Sequence, residues 1–468
     1  MILFFSKNFS YLFFAIIGIL YAFIPQSHLY ILMVAWIYEL IFALRNLNRN
    51  APLLAFIVAL FTFLMTRLVI PLFYTNAYIE ASWDNTIAFN ISTYDFIYTS
   101  IFVALISVHV GYCCTQMVNT NLSFAIDYNK KEIKSVREMS RKLYNFTLFF
   151  AGLEVLEKAV FVWSHSYLEY YLNFSQSLPG IVYKLSTVYE LVFYIFLATM
   201  PSKREAKPIL ISYLVFNTLT LLIGGRSSFI LACMFLIIYF YLRNDLSPND
   251  LWISKKNQRR LIFVIPGICM LMFLVMIIRG GTTDYDTSIL GLFFDFFFSQ
   301  GSSMQVLGLT YEGRNSLPPD QIYSLGPLIN VVNDNFIFHL MGIGHHFKSQ
   351  TVEIALHGHS LGNYLTYTYQ TDRFFKGGGL GSSYIAEAWA DFGYFGIVIW
   401  SFIYGFILAK VRTLCTKNIW ITALAFMMMM SIIFAPRANA ISFVSNLFSP
   451  TYLLVIIFLY SYSRKNRK

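Results

Sequence analysis

About twelve apolar runs of near membrane-crossing length succeed one another along this chain, and a bilayer core of about 30 Å takes roughly 20 helical residues to cross. Inside lipid every backbone N–H and C=O has to be paired within its own segment, so such runs become helices. They fall near 11–25, 28–44, 52–74, 97–118, 143–163, 181–200, 208–224, 227–242, 261–278, 392–409, 419–435 and 448–463. The expected fold is all-α and polytopic, with about 12 transmembrane helices. Of 468 residues, 57% are hydrophobic and 12% charged, against roughly a quarter charged in a soluble domain. A water-soluble globule is excluded, and neither half is polar enough to hide a large aqueous domain.

Charge placement sets the orientation, because cytoplasmic loops hold an excess of Lys and Arg. With the N-terminus inside, the connections near 45–51, 119–142, 201–207, 243–260 and 410–418 and the tail 464–468 hold most of the 34. The opposite connections 75–96 and 164–180 hold none. Both termini are therefore expected in the cytoplasm. The same distribution accounts for the formal charge of +10, which points to no nucleic-acid partner. The five cysteines lie in apolar runs or a short inner loop, so no disulfide framework is expected. Lys7 precedes an apolar stretch that meets Pro25 and Gln26 without a small-residue cleavage site, so the first run reads as a retained span.

Three regions follow: 1–278 with nine spans, 279–391 on the outer side, and 392–468 with three spans and a basic tail. A connection as long as the middle one is usually functional. It holds His339, His345, His346, His357 and His359, and half-apolar stretches at Leu290–Phe298 and Leu328–Ile343 that suit short interfacial helices. Its composition fits a lid over a cavity at membrane level. Met427–Met430 reads as core or lipid-facing filling.

An arginine at the outer end of a span runs against the charge rule and needs a partner. Arg226 in GGRSS (224–228), Arg279 in IIRGG (277–281) and Arg437 in APRANA (435–440) fit this description. Their small neighbours let a bulky ligand approach the backbone, and the guanidinium fork matches phosphate oxygens and keeps its proton. Three such forks at one depth would hold a lipid pyrophosphate. The plainer alternative is that each snorkels to headgroups or pairs with a carboxylate of the long segment. Arg67 and Lys158 lie within spans and read as structural, with Glu154 a partner at helical spacing.

HGHSLGN (357–363) places His357 and His359 in a glycine-rich loop open to the medium. Residues at i and i+2 do not share a helix face, but one imidazole can serve as a general base. The alternative is a solvated loop, and no further ligands at zinc spacing call for a metal. In GGGLGSSYIAEAWADFGYFG (377–396), Ser383, Glu387 and Asp391 recur every four residues and share one helix face. Glu387 can orient or deprotonate an acceptor hydroxyl, and the helix-start amides around Ser383 can take a phosphate oxygen. Alternatively, Ser383 is an ordinary N-cap with Glu387 in the first turn. The glycine run is no dinucleotide fingerprint, since no strand precedes it. The triplet Asp284-Tyr285-Asp286 looks like the metal clamp of nucleotide-sugar transferases but lies outside, where nucleotide sugars are absent.

The span layout, the large outer segment late in the chain, the outward arginines, GGRSS and GSSYIAEAWADFGYFGI together resemble the Wzy-type O-antigen or oligosaccharide repeat-unit polymerases. In the related O-antigen ligases a His-Asn pair opens the corresponding helix. Ser382 and Ser383 stand there in this chain, which argues against a ligase and leaves His359 and Glu387 competing for the role of base.

The resemblance implies a GT-C-like membrane glycosyltransferase, multi-pass in the inner membrane of a Gram-negative cell, acting at the periplasmic face without a cofactor. The implied donor is a growing glycan on undecaprenyl pyrophosphate, and the acceptor is a sugar hydroxyl of a lipid-linked repeat unit. Membrane lipid and a chain-length regulator protein are the other implied partners. Charge grows on the leaving pyrophosphate as the glycosidic bond breaks, so prepositioned cations favour the transition state. Arg226, Arg279 and Arg437, with Ser383, are the candidates for that role, and His359 stands ahead of Glu387 as base, with His357 beside it. The alternatives are a ligase, and a flippase for the lipid-linked oligosaccharide. A flippase calls for mid-depth charge and related halves, and no halves repeat here.

Overall fold

The computed structural model describes residues 7–76, 89–115, 130–165, 173–247, 288–334 and 340–466, with short pieces between them. Apart from one-turn pieces and the seven-residue helix Gly180–Ser186, the helices are α1 (Lys7–Phe23), α2 (His28–Leu44), α3 (Leu47–Leu60), α4 (Ile91–Thr115), α5 (Lys131–Ser164), α6 (Tyr189–Ala198), α7 (Lys203–Leu219) and α8 (Arg226–Leu246). They continue as α9 (Ile289–Gln300), α10 (Ser303–Glu312), α11 (Gly326–Asp334), α12 (Val352–His357), α13 (Leu361–Tyr369), α14 (Tyr384–Leu414), α15 (Ile419–Phe434) and α16 (Pro450–Lys465). No strand occurs among the described residues. Polar residues at the run boundaries start the helices. Ser202 and Glu205 form a capping box at α7, and the Asn418 side chain accepts the Trp420 N–H at 2.8 Å at the head of α15.

Eight described helices are long and apolar enough to cross a membrane: Pro25–Leu44, Leu47–Leu72, Ile91–Thr115, Gly180–Ala198, Lys203–Ile223, Arg226–Leu246, Tyr384–Leu414 and Ile419–Arg437. That is fewer than the twelve apolar runs suggest, for physical reasons. Helices α1 and α16 have 17 and 16 residues, about 25 Å of rise, short of the hydrocarbon thickness. The apolar half of α5 carries Glu154, Glu157 and Lys158. The run 261–278 lies almost wholly outside the described residues.

The closest helix pair is α4 with α14. A Cβ on Gly111 would lie 2.1 Å from the Phe402 carbonyl oxygen, and one on Gly405 would lie 2.0 Å from that of Val108. Backbone therefore meets backbone, as at small-residue seams in membranes. Further toward its start α14 is broken at Phe392 and Gly393, where Gly393 has φ 60° and ψ −149°, a conformation that costs a side chain dearly. The break falls where the sequence places the change from outer segment to tenth span.

Described parts of the 279–391 segment are built into the bundle. Met304, Val306, Leu307 and Leu309 of α10 and Leu361, Tyr364 and Leu365 of α13 belong to the same buried core as the spans. The Leu290–Phe298 stretch forms most of α9 and packs inward, with Phe298 fully buried and Asp295 buried beside it. Its aromatic residues surround the helix, so no polar face is left to lie on the interface. Of the Leu328–Ile343 stretch, the part within α11 is helical, and 335–337 and 339 lie outside the described residues. Elsewhere in the core, Glu39 of α2 and His109 of α4 form an ion pair with neither side chain accessible. The second ring nitrogen of His109 meets Cys113 Sγ at 3.4 Å.

Candidate active site

Two of the motifs singled out in the sequence meet at one end of the bundle. Gly224, at φ 78°, closes the turn after α7, and Gly225 is the N-cap of α8, so Arg226 is the first residue of that helix. A Cβ on Gly225 would sit 3.0 Å from the Thr220 carbonyl oxygen, which accounts for the glycine pair. Arg437 is presented by the Ala435–Arg437 turn that finishes α15, with Pro436 setting the turn. Arg226 and Arg437 line one cavity of about 240 Å³, together with Ser227, Gln300 and Phe63. Phe63 comes from a π turn, Phe61–Met65, at the end of α3, a distortion often found at functional sites.

Arg437 Nη1 donates to the Gln300 backbone oxygen at 3.0 Å and lies 3.4 Å from its side-chain oxygen. Its guanidinium carbon stands 5.4 Å from the centre of the Phe63 ring. No acidic residue lines the cavity among the described residues, and the positive end of the α8 dipole points to the same place. The chemistry is that of an anion site. Arg67 lies close by on another contact, since its Nε donates to the Phe298 carbonyl at 3.1 Å and its fork covers the Phe298 ring at 4.9 Å. Lys158 pairs with Glu154 one turn earlier in α5.

The polar face at the start of α14 fastens two loops. Glu387, fully buried, accepts the Ser382 hydroxyl and the Asn439 amide at 2.6 Å each on Oε1, and the Ala440 N–H at 2.9 Å on Oε2. The Ala440 carbonyl in turn accepts the Tyr404 hydroxyl. The stretch immediately after Arg437 is thus held from both sides by α14. Asp391, one turn further on, accepts the Tyr323 N–H at 2.9 Å and the Ser324 N–H at 2.7 Å. Ser383 occupies the N-cap position of α14 without a side-chain capping bond. Its hydroxyl is buried with no hydrogen-bond partner among the described residues, and it does not line the cavity. Glu387→Ala would leave the Asn439 amide and the Ala440 N–H unpaired in the core. The expected cost is about 3 kcal/mol, read as a lower denaturation midpoint in detergent, and an unchanged midpoint would dismiss the clamp.

A family model described as O-antigen polysaccharide polymerase Wzy matches residues 2–468. The chain belongs to the Wzy O-antigen polymerase family. No curated protein and no solved structure matches it. Wzy membership together with the eight spanning helices supports a multi-pass protein of the inner membrane with glycosyltransferase-like activity on lipid-linked glycans.

His357 and His359 of this Wzy chain are not among the residues that line the arginine cavity. His359, at φ 49°, accepts the Ile322 N–H on Nδ1 at 3.1 Å, while its backbone N–H donates to the Gln321 side-chain oxygen at 2.8 Å. Neutral imidazole with Nδ1 accepting carries its proton on Nε2, so the lone pair of Nδ1 is already taken by the Ile322 N–H. Burial pushes the His359 imidazole below its ordinary range, with Asp320 and Asp391 opposing the shift. His357 ends α12 and is exposed. Arg279 and the Asp284-Tyr285-Asp286 triplet lie outside the described residues.

Sequence reasoning missed Gln300 and Phe63. Gln300 is separated from Arg437 by 137 positions, and a π turn has no sequence signature of its own. The one available signal for Gln300 was an amide at the end of an otherwise aromatic run.

Proposed function

We propose that this chain lengthens a surface glycan by moving it from undecaprenyl pyrophosphate onto a sugar hydroxyl of a lipid-linked repeat unit at the periplasmic face. One observation carries the reading: two arginines and a helix N-terminus line a cavity that has no acidic residue in its wall among the described residues. Its volume of about 240 Å³ lies near the lower end of small-molecule pockets, roughly 300 Å³, which suits a headgroup rather than a whole repeat unit. The cavity end of α8 is opposite the end where Arg243 and the basic connection follow, in keeping with an outer location for the site and cytoplasmic termini.

The donor's diphosphate sits between Arg226 and Arg437, with its lipid tail leaving between helices. As the bond to the anomeric carbon breaks, charge collects on the departing oxygen. Cations already in place stabilise that state without reorganisation. Arg279 is proposed as a third cation on the sequence pattern alone. The lone pairs of His359 Nδ1 and both Glu387 oxygens hold loops, so these two, with Ser383, are assigned to positioning. The helices of the outer segment screen the reaction from water, since hydrolysis would end the chain.

The test is binding of undecaprenyl diphosphate to the purified full-length protein. Arg226→Ala is expected to weaken it at least tenfold, because removing a charged hydrogen-bond donor costs about 1.5–3 kcal/mol. Cells carrying that variant should show single repeat units in place of a ladder on glycan electrophoresis. Undiminished binding together with a normal ladder would reject the cavity as the donor site.

A further inference from the structure

A second cavity, of about 260 Å³, lies against the first, with Leu231 and Phe434 forming part of the wall of both. Its lining is unlike that of a lipid groove. Tyr189, Tyr213 and Tyr452 present aromatic surface, and Glu190 and Asn217 add a carboxylate and an amide. Glu190 lies within a spanning segment, Gly180–Ala198, where an ionisable residue is expensive and points to function. Its Oε1 accepts the Tyr194 hydroxyl at 2.8 Å. Its Oε2 has no hydrogen-bond partner among the described residues. Met427 and Met430 line the same space, so two of the four adjacent methionines face a cavity.

Flat aromatic faces beside a carboxylate and an amide are what a sugar ring requires: C–H faces pack on the rings, and neighbouring hydroxyls donate to the carboxylate. An acyl chain would gain nothing from those polar groups and would cost them their water. The acceptor has to reach the donor's anomeric carbon, which is tethered to the diphosphate in the adjoining cavity, and Leu231 and Phe434 line both spaces. We propose that this second cavity is the subsite for the acceptor sugar and that Glu190 takes the proton from the attacking hydroxyl. The proposal rests on the donor reading above.

The step balances within the groups named. The acceptor oxygen forms a bond to the anomeric carbon. The bond from that carbon to the diphosphate oxygen breaks, and its electron pair leaves on the diphosphate. The hydroxyl proton moves to Glu190 Oε2 and then to water. Tyr194 fixes the carboxylate by holding the other oxygen.

The experiment uses the full-length protein in lipid nanodiscs. Transfer is measured with lipid-linked repeat units extracted from cells that lack this chain, and donor-site integrity with undecaprenyl diphosphate. Glu190→Gln keeps the shape and the acceptor for Tyr194 but is a far weaker base. Transfer is expected to fall about 100-fold or more, with undecaprenyl diphosphate bound as in the unaltered protein. Normal transfer in Glu190→Gln overturns the assignment. So does loss of transfer together with loss of undecaprenyl diphosphate binding, which marks Glu190 as scaffold. If Arg226→Ala transfers and binds normally while Glu190→Gln fails only in transfer, the donor reading falls and the role of Glu190 stands.

Discussion

Arg437→Lys is expected to reduce polymerisation about 100-fold or more while the protein remains in the membrane at its normal level. Lysine keeps the charge, so a purely electrostatic role would survive the change. The guanidinium does more than carry charge. It reaches the backbone oxygen of Gln300, lies over Phe63, and still faces the cavity shared with Arg226. A single ammonium cannot serve all these directions from one flexible stem. Losing one well-placed donor to a developing anion typically costs 100-fold to 1000-fold in rate. Glycan electrophoresis checks this directly: single repeats are expected, and a full ladder would show that charge alone suffices.

The second large effect is on stability. His109→Ala should destabilise the bundle by about 3–5 kcal/mol, the usual cost of stranding one member of a buried ion pair. Glu39 and His109 are both wholly inaccessible, and the rings of Phe14 and Phe42 flank the imidazole at 4.8 and 5.0 Å between centroids. Removing the imidazole leaves the Glu39 carboxylate without its partner in the core. Replacing both residues together, Glu39→Leu with His109→Phe, should recover most of the loss, because apolar pairs of similar volume often equal a buried ion pair. Denaturant titration in detergent separates the cases. A single variant within about 1 kcal/mol of the parent would mean that the pair contributes little.

Parts of this architecture are legible in the sequence because they follow from local composition. Apolar runs mark the spans, GGRSS marks a tight turn that delivers an arginine to a helix start, and the step into the span at Phe392 coincides with the break in α14. Glu387 and Asp391 are visible as a polar stripe, but a stripe does not say what it touches. Their partners, Ala440 and Ser324, lie 53 and 67 positions away, and one chain carries no record of such pairings. The Glu39–His109 pair is hidden for the same reason. Glu190 was open to detection, since an acid inside an apolar run is a signal in its own right, yet its tyrosine neighbours make that run read as ordinary span. Span length is the least legible part, because α5 folds as a single long helix with three charges in its apolar half.

The contact between α4 and α14 at Gly111 and Gly405 limits how the protein can move. Two helices that touch main chain to main chain have no rotamers between them to reshuffle, so they travel as one rigid spar. Relative movement has to fall at side-chain contacts instead, such as the Arg437–Gln300 bond that joins the turn after α15 to the end of α9.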